Sequence, residues 1–275
     1  MAPQDQKQKL SQALSVAVSK SLQLVFPPTC FGCGDALNFL SNDPGNQRVP
    51  FSKRRSQELW CTTCHSELCG DLIDRCYTCA ATVHPSNPYG NHCPLCNDLN
   101  VRFERAISIG DYRGKLQELV IQLKREKSDA LAVQLGRLIA EQMDKFDVPA
   151  DRQDSIDYLA PIPTHWTRRL KRGFHASAVI AEGVSQRTGI PTKTNLLRCN
   201  KSTEKQGTLS NTARFDNMRG AFKVSKTIDL ENKSVMIVDD VMTSGATINA
   251  AASALKQAGA AKIWVGIAAR GARVS

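Results

Sequence analysis

The chain has 275 residues, 41% of them hydrophobic, and a formal net charge of +10. That length accommodates one sizeable α/β domain with something smaller beside it, and the apolar share supports a buried core. No apolar run is long enough to cross a bilayer, and residues 1–9 are polar with no secretory leader pattern behind them, so a cytoplasmic protein is predicted.

In chain order, residues 10–25 place Leu10, Leu14, Ala17, Val18 and Leu22 at helical spacing, which predicts a short amphipathic helix. Residues 30–96 hold four CxxC pairs, with a polar insertion at 38–57 that carries Lys53, Arg54 and Arg55. A strand is expected at 106–112. A helix follows in which Leu116, Leu119, Val120 and Leu123 share a face, then a second helix over 129–143. A polar loop with Pro149 leads to a strand at 156–163, a basic turn, and a helix over 175–188 stopped by Gly189 and Pro191. Residues 199–220 are polar and basic without a clear period. A strand at 234–238, a helix at 246–257 and a last strand at 262–269 complete the chain. Strands alternating with helices imply a parallel, doubly wound sheet.

Ten cysteines in a secreted chain would suggest disulfides, but in a reducing compartment paired CxxC motifs read as metal ligands. Cys30, Cys33, Cys61 and Cys64 suffice for one tetrahedral zinc site, and Cys76, Cys79, Cys93 and Cys96 for a second. An interleaved arrangement would use the same eight ligands. Redox pairs and buried thiols are the alternatives. Cys69 and Cys199 are left over as ordinary thiols, and His65, His84 and His92 are unnecessary if each zinc has four sulfurs.

The segment SVMIVDDVMTSGAT carries the chemistry. VMIV is a short apolar run of the kind a buried parallel strand uses, and Asp239 and Asp240 follow at the end where open α/β sheets bind ligands. Adjacent carboxylates there suit hydrogen bonds to vicinal ribose hydroxyls or to a metal-chelated ribose, and are expected to stay unburied. Thr243, Ser244, Gly245, Ala246 and Thr247 then lead into a helix. Small residues let backbone N–H groups surround a phosphate, the hydroxyls add donors, and the helix dipole favours the anion. A plain capped turn would also explain TSGAT alone. The order of apolar strand, acid pair and hydroxyl-rich loop points instead to a ribose 5-phosphate group, and the glycine patterns of NTPases and dinucleotide folds are missing. The charge excess is uneven: residues 160–225 hold twelve Lys or Arg against three Asp or Glu, a net of +9. Within them Arg168, Arg169, Lys171 and Arg172 follow a strand and could neutralise a diphosphate, although a solvated face has the same composition.

The acid pair and TSGAT resemble the signature of type I phosphoribosyltransferases. With the four CxxC pairs, Tyr112–Arg113–Gly114 before a helix that carries Lys124, the RGF at 172–174, and Lys201, Thr203, Gln206, Leu209, Arg214, Asn217 and Gly220, the chain resembles the ComF family, that of competence protein ComFC and GntX-like proteins, from about Cys30 to Arg270. The resemblance implies a type I phosphoribosyltransferase-like parallel sheet flanked by helices with a small N-terminal zinc-binding module. It divides the chain into a tail over 1–29, a cysteine module over 30–100 and the phosphoribosyltransferase-like domain over 101–275. It also implies that Asp239 and Asp240 contact ribose, that residues 243–247 hold the 5′-phosphate, and that Mg²⁺ enters with phosphoribosyl diphosphate. In function it implies DNA uptake, with single-stranded DNA handled at the cytoplasmic face of the inner membrane beside DNA-uptake proteins. The basic turn, the 201–219 loop and the zinc module are the candidate DNA contacts. One departure stands out: after RGF the family usually has Asn-Gln, whereas this chain has His175 and Ala176. A second reading is an active enzyme that transfers phosphoribose to a nucleobase or amine by displacing Mg-diphosphate at C1. A third is a ligand-sensing regulator. No catalytic residue or base-recognition motif is evident.

Overall fold

A computed structural model describes residues 28–37, 59–69, 75–83, 93–97, 101–146, 155–163, 175–200, 218 and 220–271. The expected helix over 10–25, the insertion at 38–57, the basic turn with Arg168, Arg169, Lys171 and Arg172, and residues 201–217 lie outside them. The chain divides into two units between Ser66 and Glu67. The second cysteine tetrad therefore shares its unit with the sheet.

Six strands and six helices appear among the described residues. In chain order they are α1 (Thr62–Cys69), α2 (Pro94–Asn97), β1 (Arg105–Asp111), α3 (Gly114–Glu126), α4 (Asp129–Lys145), β2 (Tyr158–Pro161), α5 (Ala176–Thr188), β3 (Leu197–Cys199), β4 (Phe222–Val224), β5 (Ser234–Met242), α6 (Ala246–Gln257) and β6 (Lys262–Arg270).

Four strands form one parallel sheet in the order β1-β6-β5-β2. Burial on both faces explains their apolar runs: Ala106 to Gly110 in β1 and Ser234 to Val238 in β5 are buried without interruption. The register sets Ile107 beside Gly266, Val265 beside Ile237, and Ile237 beside Ala160. β3 and β4 make a separate antiparallel ribbon.

The helices bury the faces their spacing dictates. α3 buries Leu116, Leu119, Val120 and Leu123. Ser128 caps α4, its Oγ accepting from Leu131 N at 3.2 Å. α4 and α5 cross at two glycines; a Cβ at Gly136 would lie 2.1 Å from Ile180 O, and one at Gly183 would lie 2.2 Å from Val133 O, so only glycine permits this approach. α6 sends Ile248, Ala251, Ala252 and Leu255 into a core shared with Val235, Ile237, Ile263, Val265 and Ile267. Cys76, Cys79, Cys93 and Cys96 belong to that same core.

Two elements differ from expectation. β5 continues past Val238 to Met242, so Asp239 and Asp240 lie within the strand, because β6 pairs with it as far as Arg270. The β3–β4 ribbon has no counterpart in the sequence pattern, since three-residue strands give no readable period.

Candidate functional site

The carboxyl ends of the parallel strands converge on one edge of the sheet. β5 brings Asp239 and Asp240, both partly buried. The Asp239 carboxylate accepts from Ser177 Oγ at the start of α5 at 2.9 Å and from the Asp240 backbone N–H at 2.9 Å. Asp240 pairs with Lys124 of α3, Nζ to Oδ2 at 2.9 Å. Burial, and then the neighbouring charge of Asp240, push the Asp239 carboxyl up to about 7 against the pull of the Asp240 N–H, Ser177 and Lys124. The acid pair thus has two unlike members, Asp240 ion-paired to Lys124 and Asp239 with its carboxyl raised to about 7.

The loop after β5 joins it to α6. Gly245 takes φ +79, a left-handed conformation that residues with a Cβ adopt at a cost. The turn lets α6 start at once, with Asn249 N donating to Gly245 O at 2.8 Å. Ser244 is buried, and its Oγ accepts from Ala246 N at 3.4 Å; Thr243 is exposed. The structure thus sets residues 243–247 at a helix N-terminus, next in the chain to the acid pair. His175, where the family pattern has Asn, donates from Nε2 to the Ile162 carbonyl at the end of β2, at 3.0 Å.

The eight paired cysteines fall into two groups, Cys30, Cys33, Cys61, Cys64 and Cys76, Cys79, Cys93, Cys96, each with all sulfurs within 4.8 Å of one another. The interleaved arrangement is not the one formed. The sulfur separations are 3.9 Å for Cys33–Cys61, and 3.6 Å for both Cys76–Cys96 and Cys79–Cys93. Four thiolates on a tetrahedral zinc stand about 3.8 Å apart, from a Zn–S bond of ~2.3 Å, so both donor sets fit a metal ion of that size.

The two groups are built alike, a repeat that the unequal spacing of the pairs conceals. In each, the first cysteine donates its N–H to the carbonyl five residues on: Cys30 to Asp35 O and Cys76 to Ala81 O, both at 2.8 Å. The N–H four residues on returns to its carbonyl, Gly34 to Cys30 O and Ala80 to Cys76 O. Gly34 and Ala80 both have positive φ. The second CxxC pair of each group opens a helix, α1 or α2. Backbone N–H groups of Gly32 and Cys61 point at Cys30 Sγ. Although burial opposes it, the N–H groups of Cys61, Cys33 and Gly32 draw the Cys30 thiol down to about 7. In the buried group, the hydrogen bond from Cys76 and then, against burial, the charge of Arg270 hold Cys79 down at about 4; that same bond and burial push Cys76 up.

The second group is tied to the sheet. Thr78 O accepts from Ala106 N of β1 at 2.8 Å. Arg75 pairs with Asp111 at 2.6 Å, and Thr82 Oγ1 donates to the same carboxylate at 2.8 Å. Arg270, at the end of β6, has its Nε on Cys79 O at 2.9 Å and its Nη1 on Met242 O at 2.9 Å, on Thr243 O, and on Gly271 O at 2.6 Å. Sequence reasoning missed Arg270 because a lone arginine closing an apolar strand reads as a solvated end.

A family model described as the phosphoribosyl transferase domain matches residues 175–273, which take in Ser177, the acid pair, the 243–247 loop and Arg270. The chain is 27% identical over 197 residues to a DNA utilization protein YhgH of Salmonella typhimurium, covering 70% of this chain and 82% of that one. It is 27% identical over 185 residues to a Competence protein F of Haemophilus influenzae, covering 64% of this chain and 77% of that one. Among solved structures, a glutamine phosphoribosylpyrophosphate amidotransferase from B. subtilis aligns with TM-score 0.33 and 23% identity, over 50% of this chain and 25% of that one. With its parallel sheet, its matched domain, its cysteine tetrads and its similarity to a DNA utilization protein and a Competence protein F, the chain resembles the ComF family and carries a phosphoribosyltransferase domain over residues 175–273.

Proposed function

We propose that the carboxyl end of β5 binds phosphoribosyl diphosphate with Mg²⁺, and that the protein serves DNA uptake by handling incoming single-stranded DNA. One observation carries the ligand assignment: Asp239, Asp240 and the small-residue loop 243–247 stand in one run at the end of a central parallel strand, with Lys124 and Ser177 converging on the acid pair. Carboxylates here can accept from the vicinal hydroxyls of a ribose. The loop and the first turn of α6 offer N–H groups and a favourable dipole to its 5′-phosphate. Arg168, Arg169, Lys171 and Arg172 supply the opposing charge for the diphosphate in this reading.

The uptake role draws support from the names of the relatives and from the +9 excess between residues 160 and 225, a field that attracts a phosphate backbone. The eight paired cysteines hold two structural zinc ions in this reading, the first in the N-terminal unit and the second in the unit that also holds the sheet. The tests are calorimetric titration with phosphoribosyl diphosphate and Mg²⁺, and fluorescence titration with a labelled oligonucleotide. Binding of both ligands without diphosphate release is expected. Release dependent on one particular base would replace this reading with the transferase reading, and failure of Asp239→Asn with Asp240→Asn to weaken the sugar ligand would overturn the site.

A further inference from the structure

Arg270 is 3% exposed, yet it carries a full charge. Placing a guanidinium in a protein interior is costly unless its donors are met and its charge is opposed. Its donors reach Cys79 O, Met242 O, Thr243 O and Gly271 O, and Nη2 lies 4.0 Å from Cys79 Sγ. Among the described residues no carboxylate lies within ion-pair distance of it. The anionic group it faces is the sulfur cluster Cys76, Cys79, Cys93 and Cys96, which carries a net charge of about −2 when four thiolates hold a divalent ion.

The carbonyls on the other side of the guanidinium are those of Met242 and Thr243, the last residue of β5 and the first of the small-residue loop. One planar group thus grips a cysteine knuckle and the root of the loop at once. The packing around it is tight: a Cβ on Gly271 would lie 2.8 Å from Thr243 Cγ2, so the chain after Arg270 lies directly against that root.

We infer that Arg270 is a positioning residue that couples metal occupancy of the second cysteine tetrad to the shape of the phosphate loop. Its ligand consequence rests on the proposed phosphate site; its structural consequence does not. An anionic metal–thiolate centre holds the guanidinium in place, and the guanidinium fixes the carbonyls of residues 242 and 243. The loop N–H groups on the opposite side of those peptides then keep one direction. The first tetrad, in the other unit, has no part in this link.

Hydrogen–deuterium exchange of the full-length, zinc-loaded protein tests the link without any ligand. In Arg270→Met and in Cys93→Ser, which removes a metal ligand without touching a partner of Arg270, the amides whose bonds pin the loop, Gly271 on Met242 O, Ala246 on Ser244 Oγ and Asn249 on Gly245 O, should exchange roughly tenfold to a hundredfold faster, the factor equivalent to one lost charge-assisted hydrogen bond. The double variant should be no faster than either single one, and Cys33→Ser should leave these amides unchanged. Arg270→Lys keeps the charge, and it supplies a second reading if the methionine variant does not fold; its loop should exchange at an intermediate rate. Unchanged loop exchange in Arg270→Lys or Cys93→Ser, or additive effects in the double variant, overturns the coupling. Calorimetry with ribose 5-phosphate on the same samples separates the two ideas. Faster exchange with weaker binding supports both. Faster exchange in a protein whose wild type ignores ribose 5-phosphate supports the coupling and removes the phosphate-site reading.

Discussion

Gly245→Ala isolates the part played by the loop. At φ +79 and ψ −1 an alanine pays about 1–2 kcal/mol for its Cβ. The side chain itself fits, since the nearest atom to a Cβ would be Met242 Sδ at 3.8 Å, an ordinary contact. Replacing glycine also narrows the unfolded ensemble, which returns about 0.4–1 kcal/mol. The net loss should be about 1 kcal/mol, visible as a lower urea midpoint with an unchanged slope. If the loop holds a phosphate, a small rotation there misaims N–H donors, and one charge-assisted hydrogen bond is worth about 1.5–3 kcal/mol. Ribose 5-phosphate should therefore bind roughly tenfold to a hundredfold more weakly by calorimetry. Gly259→Ala is the control. It has φ +99 and ordinary contacts with Glu231, beyond the far end of α6, so it should lose comparable stability and keep full affinity. Wild-type affinity in Gly245→Ala, or an equal loss of affinity in both variants, would refute the assignment of the phosphate to this loop.

Asp239 makes stability pH dependent. Its folded pKa, about 7, lies above the ordinary 3.8, so between those values the folded state keeps a proton that the unfolded state has released. This group's contribution is present below about pH 4 and is lost as pH rises towards 7. Asp239→Asn should remove that slope, so its stability advantage over wild type should be larger at pH 8 than at pH 5 in urea melts; a constant difference would contradict it. Metal analysis should return about two zinc ions per chain, and Cys93→Ser about one. Single-stranded DNA affinity should fall steeply between 50 and 200 mM salt, linearly on logarithmic axes; a flat response would argue against backbone contacts.

Much of the site was legible because its signals are local. An apolar strand followed by two acids and a small-residue loop can be read from one short segment, and the structure sets the acids in the second half of β5 and the loop directly after it, leading into α6. The acid pair is less open than expected, because β5 stays hydrogen-bonded to β6 beyond Asp239. What could not be read is long range. CxxC spacing identifies the eight sulfurs but not their partition, which depends on two knuckles folding separately. Lys124 and Ser177 come from helices far along the chain, and their polar character alone gives no direction. Arg270 acquires its meaning only when Cys79, 191 residues away, is folded against it.

The hydrogen bond from Ala106 to Thr78 has a consequence for solubility. β1 and β2 are the outer strands of the sheet, and unpaired strand edges are templates for joining other chains. On β2, Leu159 is occupied by Pro191 and Lys193, its N–H bonding Pro191 O and its carbonyl accepting from Lys193 N. On β1 the cysteine knuckle is the cover: Thr78 takes the Ala106 N–H, and the pairing of Arg75 and Thr82 with Asp111 clamps the strand's far end. A knuckle whose sulfurs fit a metal ion thus doubles as a guard on an adhesive border. Zinc starvation would bare that border, and the first sign of metal loss in such a protein would be chains sticking to one another rather than a missing ligand.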